Sequence, residues 1–198
     1  MTRLYAVREL RPLMSYRGHV IIFTMLNQNR RPRTWSLWAL CLGLGPISAL
    51  PGFASEIAPA DHVVVHKAER KLYLYNGSRL LGEYKVALGL SPVGTKEREH
   101  DFRTPEGRYF LARRNTRSDF FLSIQVSYPN KNDELRARKN RWAPGGSIMI
   151  HGLPNVPKHP PAYYMSNDWT DGCIALSNSD MVEVWLRTQD NIPIDILP

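Results

Sequence analysis

Lys71-Leu-Tyr-Leu-Tyr75 alternates polar and apolar residues with a period of two, and Asn76-Gly77 follows it directly. Alternation places Leu72 and Leu74 on one face of an extended strand. Both residues of an Asn-Gly pair tolerate the positive φ of a tight hairpin turn. The pattern predicts a β-hairpin whose second strand returns over residues 79–88. Further runs of strand type flank it: the β-branched stretch His62-Val-Val-Val-His66, then residues 108–113, 121–127, 147–150 and 192–196. Residues 89–101 are polar, contain Pro92 and Gly94, and read as a loop.

Helix signals are few. Ser177-x-x-Asp180 offers a capping box into an apolar-periodic helix over 181–187, with Trp185 on its core side. The charged stretch 131–141 holds Arg136, Arg138, Lys139 and Arg141. It reads first as a solvated helix face or loop and second as a contact for an anionic polymer. Tyr128-Pro129-Asn130 reads as a turn. Pro154, Pro157, Pro160 and Pro161 exclude both helix and central strand from 153–167, leaving a loop that could wall a cleft. The expected fold is therefore mainly β, a small sandwich or partly open barrel with one or two short helices.

The formal charge of +8 invites a nucleic-acid reading, which its distribution removes. Residues 1–54 hold seven of the 26 basic and one of the 18 acidic residues, leaving 19 basic against 17 acidic in the remainder. That first segment reads as an export leader. Arg30, Arg31 and Arg33 form a basic start, a largely apolar run extends from Trp35 to Leu50, and small residues follow at Gly52 and Ala54. The expected organisation is a leader over 1–54 (with Met25 as an alternative start), a linker over 55–61 and one domain over 62–198. The leader would be cleaved after Ala54, so the membrane is met only in transit, and an uncleaved anchor is the alternative. The protein is expected to be exported, as a monomer. Cys41 would leave with the leader, and Leu40 before it argues against a lipid-anchor site. Cys173 then remains as the single cysteine of an exported domain, unable to form an internal disulfide.

Two segments carry candidate chemistry: Ile148-Met-Ile-His151-Gly152 and Asp168-Trp-Thr-Asp-Gly172-Cys173. A cysteine attacks as its thiolate, and a neighbouring histidine can supply the base. Glycine before the cysteine lets backbone approach a substrate closely and lets amides point at a developing oxyanion. One His and one Cys alone are equally well read as unrelated residues.

The combination resembles the L,D-transpeptidase catalytic (YkuD-type) family, whose signature is His-Gly followed by Ser/Thr-x-Gly-Cys. His151-Gly152 and Thr170-x-Gly172-Cys173 match it. Arg103-Thr-Pro-Glu-Gly107 resembles the Thr-Pro-x-Gly segment of that family, and the closing Ile-Pro-Ile-x-Ile strand is similar to its usual end. The resemblance spans about residues 62–197, and together with the leader it implies a place in the periplasm, at the cell wall. It implies that Cys173 is the nucleophile and His151 its base. It further implies that the Gly152 carbonyl orients the imidazole, that the amides of Gly172 and Cys173 receive the oxyanion, and that the Thr170 hydroxyl supports the cysteine loop. Two positions depart from the pattern: Ala175 stands where many members carry a pocket arginine, and Asp171 stands before Gly172. The implied reaction is acyl transfer at diaminopimelate of a peptidoglycan stem peptide, with release of D-alanine and no metal or organic cofactor. A carboxypeptidase, a lipoprotein-anchoring or hydrolysing variant and a non-catalytic wall-binding module are the alternatives. Asp171, Trp169 and Tyr164 are cleft candidates, although aromatic residues such as Tyr163, Tyr164 and Trp169 more often serve packing. A zinc site built from His151, His159, Cys173 and Asp168 lacks any ligand-pair spacing, and His62, His66, His100 and His159 read as surface or loop residues.

Overall fold

The computed structural model describes residues 57–198. The leader, its cleavage point and the first two residues of the linker lie outside the described residues. Eight strands form a single sheet, joined by three short helices. In chain order these are β1 (His62–His66), β2 (Lys71–Asn76), β3 (Arg79–Lys85), β4 (Gly107–Ser118), β5 (Phe121–Val126), α1 (Lys131–Lys139), β6 (Met149–His151), α2 (Pro161–Ser166), β7 (Ile174–Ala175), α3 (Asn178–Arg187) and β8 (Pro193–Leu197).

The spatial order is β3-β2-β1-β8-β4-β5-β6-β7, antiparallel except for the parallel pairs β1–β8 and β6–β7. Chain just past β3 turns back onto the far edge. Ala87 and Ala175 exchange N–H···O bonds of 2.9 and 2.8 Å, so the last strand meets the continuation of the first. This near-closure covers a sheet edge that would otherwise expose unpaired backbone. It also places β7, with the residues that precede it, against the loop leaving β3.

Period-two alternation decides which side faces inward. Val63 and Val65, Leu72 and Leu74, and Ile194 and Ile196 are buried, and the residues between them are not. Full burial of each such side chain contributes about 1.5–3 kcal/mol before chain entropy is counted. Met181 and Val184 of α3 close the same core, and Ile150 and Ile174 carry it under β6 and β7.

Several local features differ from the sequence expectation. The hairpin turn is Gly77-Ser78, because Asn76 pairs with Arg79 and a bulge lies between Leu74 and Tyr75. Only Gly77 takes a positive φ (+56°), as a two-residue turn with glycine first requires. Asn76 instead donates through its side chain to the Pro59 carbonyl. The full capping box belongs to α1: Asn130 accepts from the Asp133 amide while the Asp133 carboxylate accepts from the Asn130 amide. At α3, Ser177 caps the Asp180 amide. The proline-rich segment does contain a helix, α2. Pro161 occupies its first position and Pro160 its N-cap, where a missing N–H costs nothing, while Pro154 and Pro157 precede it. The sixth strand runs later than 147–150 and includes His151, and the two-residue β7 had no signal of its own.

Candidate active site

His151 ends β6, and Cys173 lies one residue before β7, its parallel neighbour. Ile150 pairs with Ile174 and His151 with Ala175. Continuing that register sets residue 173 beside 149, and alternation puts 149 and 151 on one face. The Cα atoms of His151 and Cys173 are therefore about 8 Å apart, with both side chains on the same side. They line a common cavity of about 600 Å³, together with Trp169, Thr170, Asp171, Phe120 and Lys96 among others.

His151 is buried, and its Nδ1 lies 2.7 Å from the Gly152 carbonyl oxygen. A carbonyl can only accept, so Nδ1 carries the proton and Nε2 of the neutral ring is a free base. Burial pushes the imidazole down to about 4, against a smaller upward pull from the Gly152 bond. Phe120 packs on the ring at 4.7 Å between centroids, and Trp169 meets it edge-on at 5.6 Å. Sequence reasoning alone does not single out Phe120; its one signal is a large apolar residue at a polar hairpin tip, Ser118-Asp-Phe-Phe121.

Cys173 is half-buried, and its Sγ contacts the Ser147 carbonyl oxygen at 3.6 Å. Burial pushes the thiol up. The Met149 backbone amide pulls it down, Asp171 pushes it up and Lys96 pulls it down. The resting pair is thus neutral thiol and neutral imidazole.

The loop carrying Cys173 is tightly held. Thr170 Oγ1 donates to the Cys173 carbonyl (2.8 Å) and accepts from the Gly172 amide (3.1 Å). The Gly172 N–H is therefore engaged within the loop. Gly172 has φ +122°, and an added Cβ would sit 2.5 Å from the Arg103 carbonyl oxygen, so no other residue fits without movement. Asp168 accepts from both Arg70 Nε and Nη2 and from the Leu88 amide. The Leu88 carbonyl in turn accepts from the Trp169 and Thr170 amides.

The remaining cleft candidates separate. Asp171 is exposed and Trp169 half-buried at the Cys173 cavity. Tyr164 is buried, and its hydroxyl accepts from the Lys158 and His159 amides. It lines a neighbouring cavity with His159 and Tyr163, and Phe120 and Trp169 form the partition between the two. Among the described residues no group of three His, Cys, Asp or Glu side chains is placed to hold a metal. His159 stacks on Tyr163, 4.1 Å between centroids.

Residues 60–196 match the family described as YkuD, the L,D-transpeptidase catalytic domain. The chain belongs to this family. Over 130 residues it is 26% identical to YafK of Escherichia coli strain K12, which carries a provisional L,D-transpeptidase name; the match covers 63% of this chain and 45% of YafK. The helical cell shape determining protein Pgp2 of Campylobacter jejuni is similar in structure, with TM-score 0.55, 25% sequence identity, and coverage of 70% of this chain and 48% of Pgp2. The chain thus spans just under half the length of these relatives. The YkuD match takes in both His151-Gly152 and Gly172-Cys173. None of the described helices is long and apolar enough to cross a membrane.

Proposed function

We propose that this protein is a cysteine acyltransferase of the L,D-transpeptidase type, acting on peptidoglycan stem peptides in the periplasm. The observation that carries the reading is the Nδ1–H···O=C bond from His151 to Gly152, which leaves an unprotonated Nε2 on the cavity that holds Cys173. Membership of the YkuD family supplies the substrate class.

Cys173 is the nucleophile and His151 the base. As Sγ attacks the carbonyl at the L-centre of diaminopimelate, its proton passes to His151 Nε2 and a C–S bond forms. The raised thiol and lowered imidazole favour this transfer during attack over a standing ion pair. The oxyanion falls to the Cys173 amide and, once Thr170 releases it, the Gly172 amide. Collapse breaks the C–N bond, and the imidazolium returns the proton to the departing D-alanine amine. An amine from a second stem then attacks the thioester, with His151 taking its proton and the thiolate leaving as thiol. Water in place of the amine gives a carboxypeptidase by the same steps. Pgp2 determines helical cell shape, and remodelling of stems is the chemistry by which this chain would act on shape.

The test is digestion of purified stem peptides by the native domain and by Cys173→Ala, read by mass spectrometry. Loss of D-alanine with new dimers, absent from the variant, is expected. Loss without dimers assigns the carboxypeptidase. No loss in either sample sinks the acyl-transfer reading in favour of a wall-binding module.

A further inference from the structure

Ala175 leaves β7 without a cation at the cavity: it is fully buried and bonded in both directions to Ala87. A buried cation nevertheless reaches the cavity from elsewhere. Lys96, in the loop between β3 and β4, is 3% exposed and lines the wall that Cys173 shares. Its Nζ donates to Asp101 Oδ1 at 2.8 Å and to the Arg98 carbonyl at 3.1 Å.

Asp101 does not neutralise this ammonium alone. Its Oδ1 also accepts from the Arg103 amide, and its Oδ2 accepts from the Glu97 and Arg98 amides. A carboxylate offers about four acceptor sites, and all four are filled, three of them by fixed backbone dipoles. The charge of Asp101 is shared among them, so that of Lys96 is only partly balanced. An ammonium has three N–H donors, and the third has no partner among the described residues. The field of Lys96 reaches the Cys173 sulfur, where it opposes that of Asp171.

The position of Lys96 is set before any substrate arrives. Arg136 Nη2 donates to its carbonyl at 3.1 Å. The same loop is anchored by Lys67, 2% exposed, whose Nζ bonds the Gly94 and Thr104 carbonyls and Glu106 Oε1 at 2.6, 3.1 and 2.7 Å. Arg117 also lines the cavity, but it is exposed on β4.

We propose that Lys96 is a specificity-determining residue. Its third N–H receives the terminal carboxylate of the stem peptide, beside the bond Cys173 attacks, and restricts the site to a residue at a free C-terminus. The assignment rests on the acyl-transfer reading above and compensates on another element for the small residue at 175. Removal of Lys96 leaves Asp101 its three amides, and Lys96→Gln keeps a hydrogen-bond donor beside the buried carboxylate.

The test is equilibrium binding of a stem tetrapeptide and of its C-terminal amide to Cys173→Ala protein, with and without Lys96→Met. A charge-assisted hydrogen bond predicts about ten- to a hundred-fold tighter binding of the acid, and Lys96→Met abolishes that preference, so that acid and amide bind alike. Binding of the amide reports that the variant is folded, and Lys96→Gln is read by the same ratio. Equal binding of acid and amide to the parent, no binding of either, or a preference that survives both substitutions overturns the assignment. Turnover of the acid by native protein is scored separately. Acid-selective binding without turnover sinks the acyl-transfer reading alone, and turnover without acid selectivity sinks the role of Lys96 alone.

Discussion

Asp168 and Arg70 form a bidentate ion pair, with Nε 3.2 Å from Oδ1 and Nη2 2.8 Å from Oδ2, which ties the cysteine loop to the turn between β1 and β2. The carboxylate also holds the Leu88 amide, so one side chain joins three segments around the site. Asp168→Ala leaves that amide unpartnered and the guanidinium with only the Lys67 carbonyl. The expected cost is about 2 kcal/mol, and the pair's partial exposure keeps it below that of a fully buried pair. A fall of roughly 6 °C in Tm and a larger proportional loss of turnover are expected. Unchanged turnover would show that the loop keeps its shape without the pair.

Gly172→Ala should be disabling where Gly146→Ala is neutral. An added Cβ at 172 meets the Arg103 carbonyl at 2.5 Å on a backbone with φ +122°, whereas nothing lies within 4 Å of one at 146. The first substitution is expected to cost about 1–3 kcal/mol and to displace Cys173, the second less than about 0.5 kcal/mol. Thermal melts of the two variants make the comparison.

Acid should destabilise the domain through His151. Its folded value of about 4 lies below the unfolded imidazole, so the unfolded chain binds the extra proton between about 6.5 and 4. The stability tied to the neutral ring is complete above about pH 6.5 and is lost as pH falls toward 4, about 3 kcal/mol in all. Urea unfolding at pH 7 and pH 4.5 should show a steep difference that His151→Gln reduces. A difference of equal size in the variant would assign the acid sensitivity to other groups.

Cys173 should be slow to alkylate at neutral pH. Burial holds the thiol above its ordinary range, so reaction with iodoacetamide is expected to be sluggish at pH 7 and to climb through the alkaline range. A fast, pH-independent reaction at neutrality would reveal a standing thiolate and remove the case for proton transfer during attack.

Phe120→Ala should lower kcat by about ten-fold with little change in stability, because the ring packs on His151 yet is 37% exposed at a hairpin tip. Steady-state kinetics and a thermal melt together separate this from a general loss of fold.

Alternation in 62–66 and 71–75, the Ser177 cap and the paired His-Gly and Gly-Cys motifs were all legible along the chain, because each depends on neighbours a few residues apart. The same local chemistry misled at the turn. Asn76-Gly77 is a good hairpin pair, yet the register with β3 and the bond from Asn76 to the Pro59 carbonyl move the turn to Gly77-Ser78. In the proline-rich segment, density of proline argued against helix, but the place of each proline relative to a helix start decides the matter, and Pro161 stands where proline is welcome.

A mainly β domain, its family and the two residues on which the proposed chemistry rests can all be read along the chain. Tertiary structure alone decided that Ala87 would grip a two-residue strand at 174–175 and so bring Cys173 alongside His151. It also decided that Phe120 would cover the imidazole, and that Lys96 would meet the cavity from a loop 77 positions away from Cys173. The physical reason is range. Propensity, capping and periodicity act over a turn or two of chain, whereas a sheet edge, a buried cation and an aromatic lid are contacts between segments that only the closed fold makes neighbours.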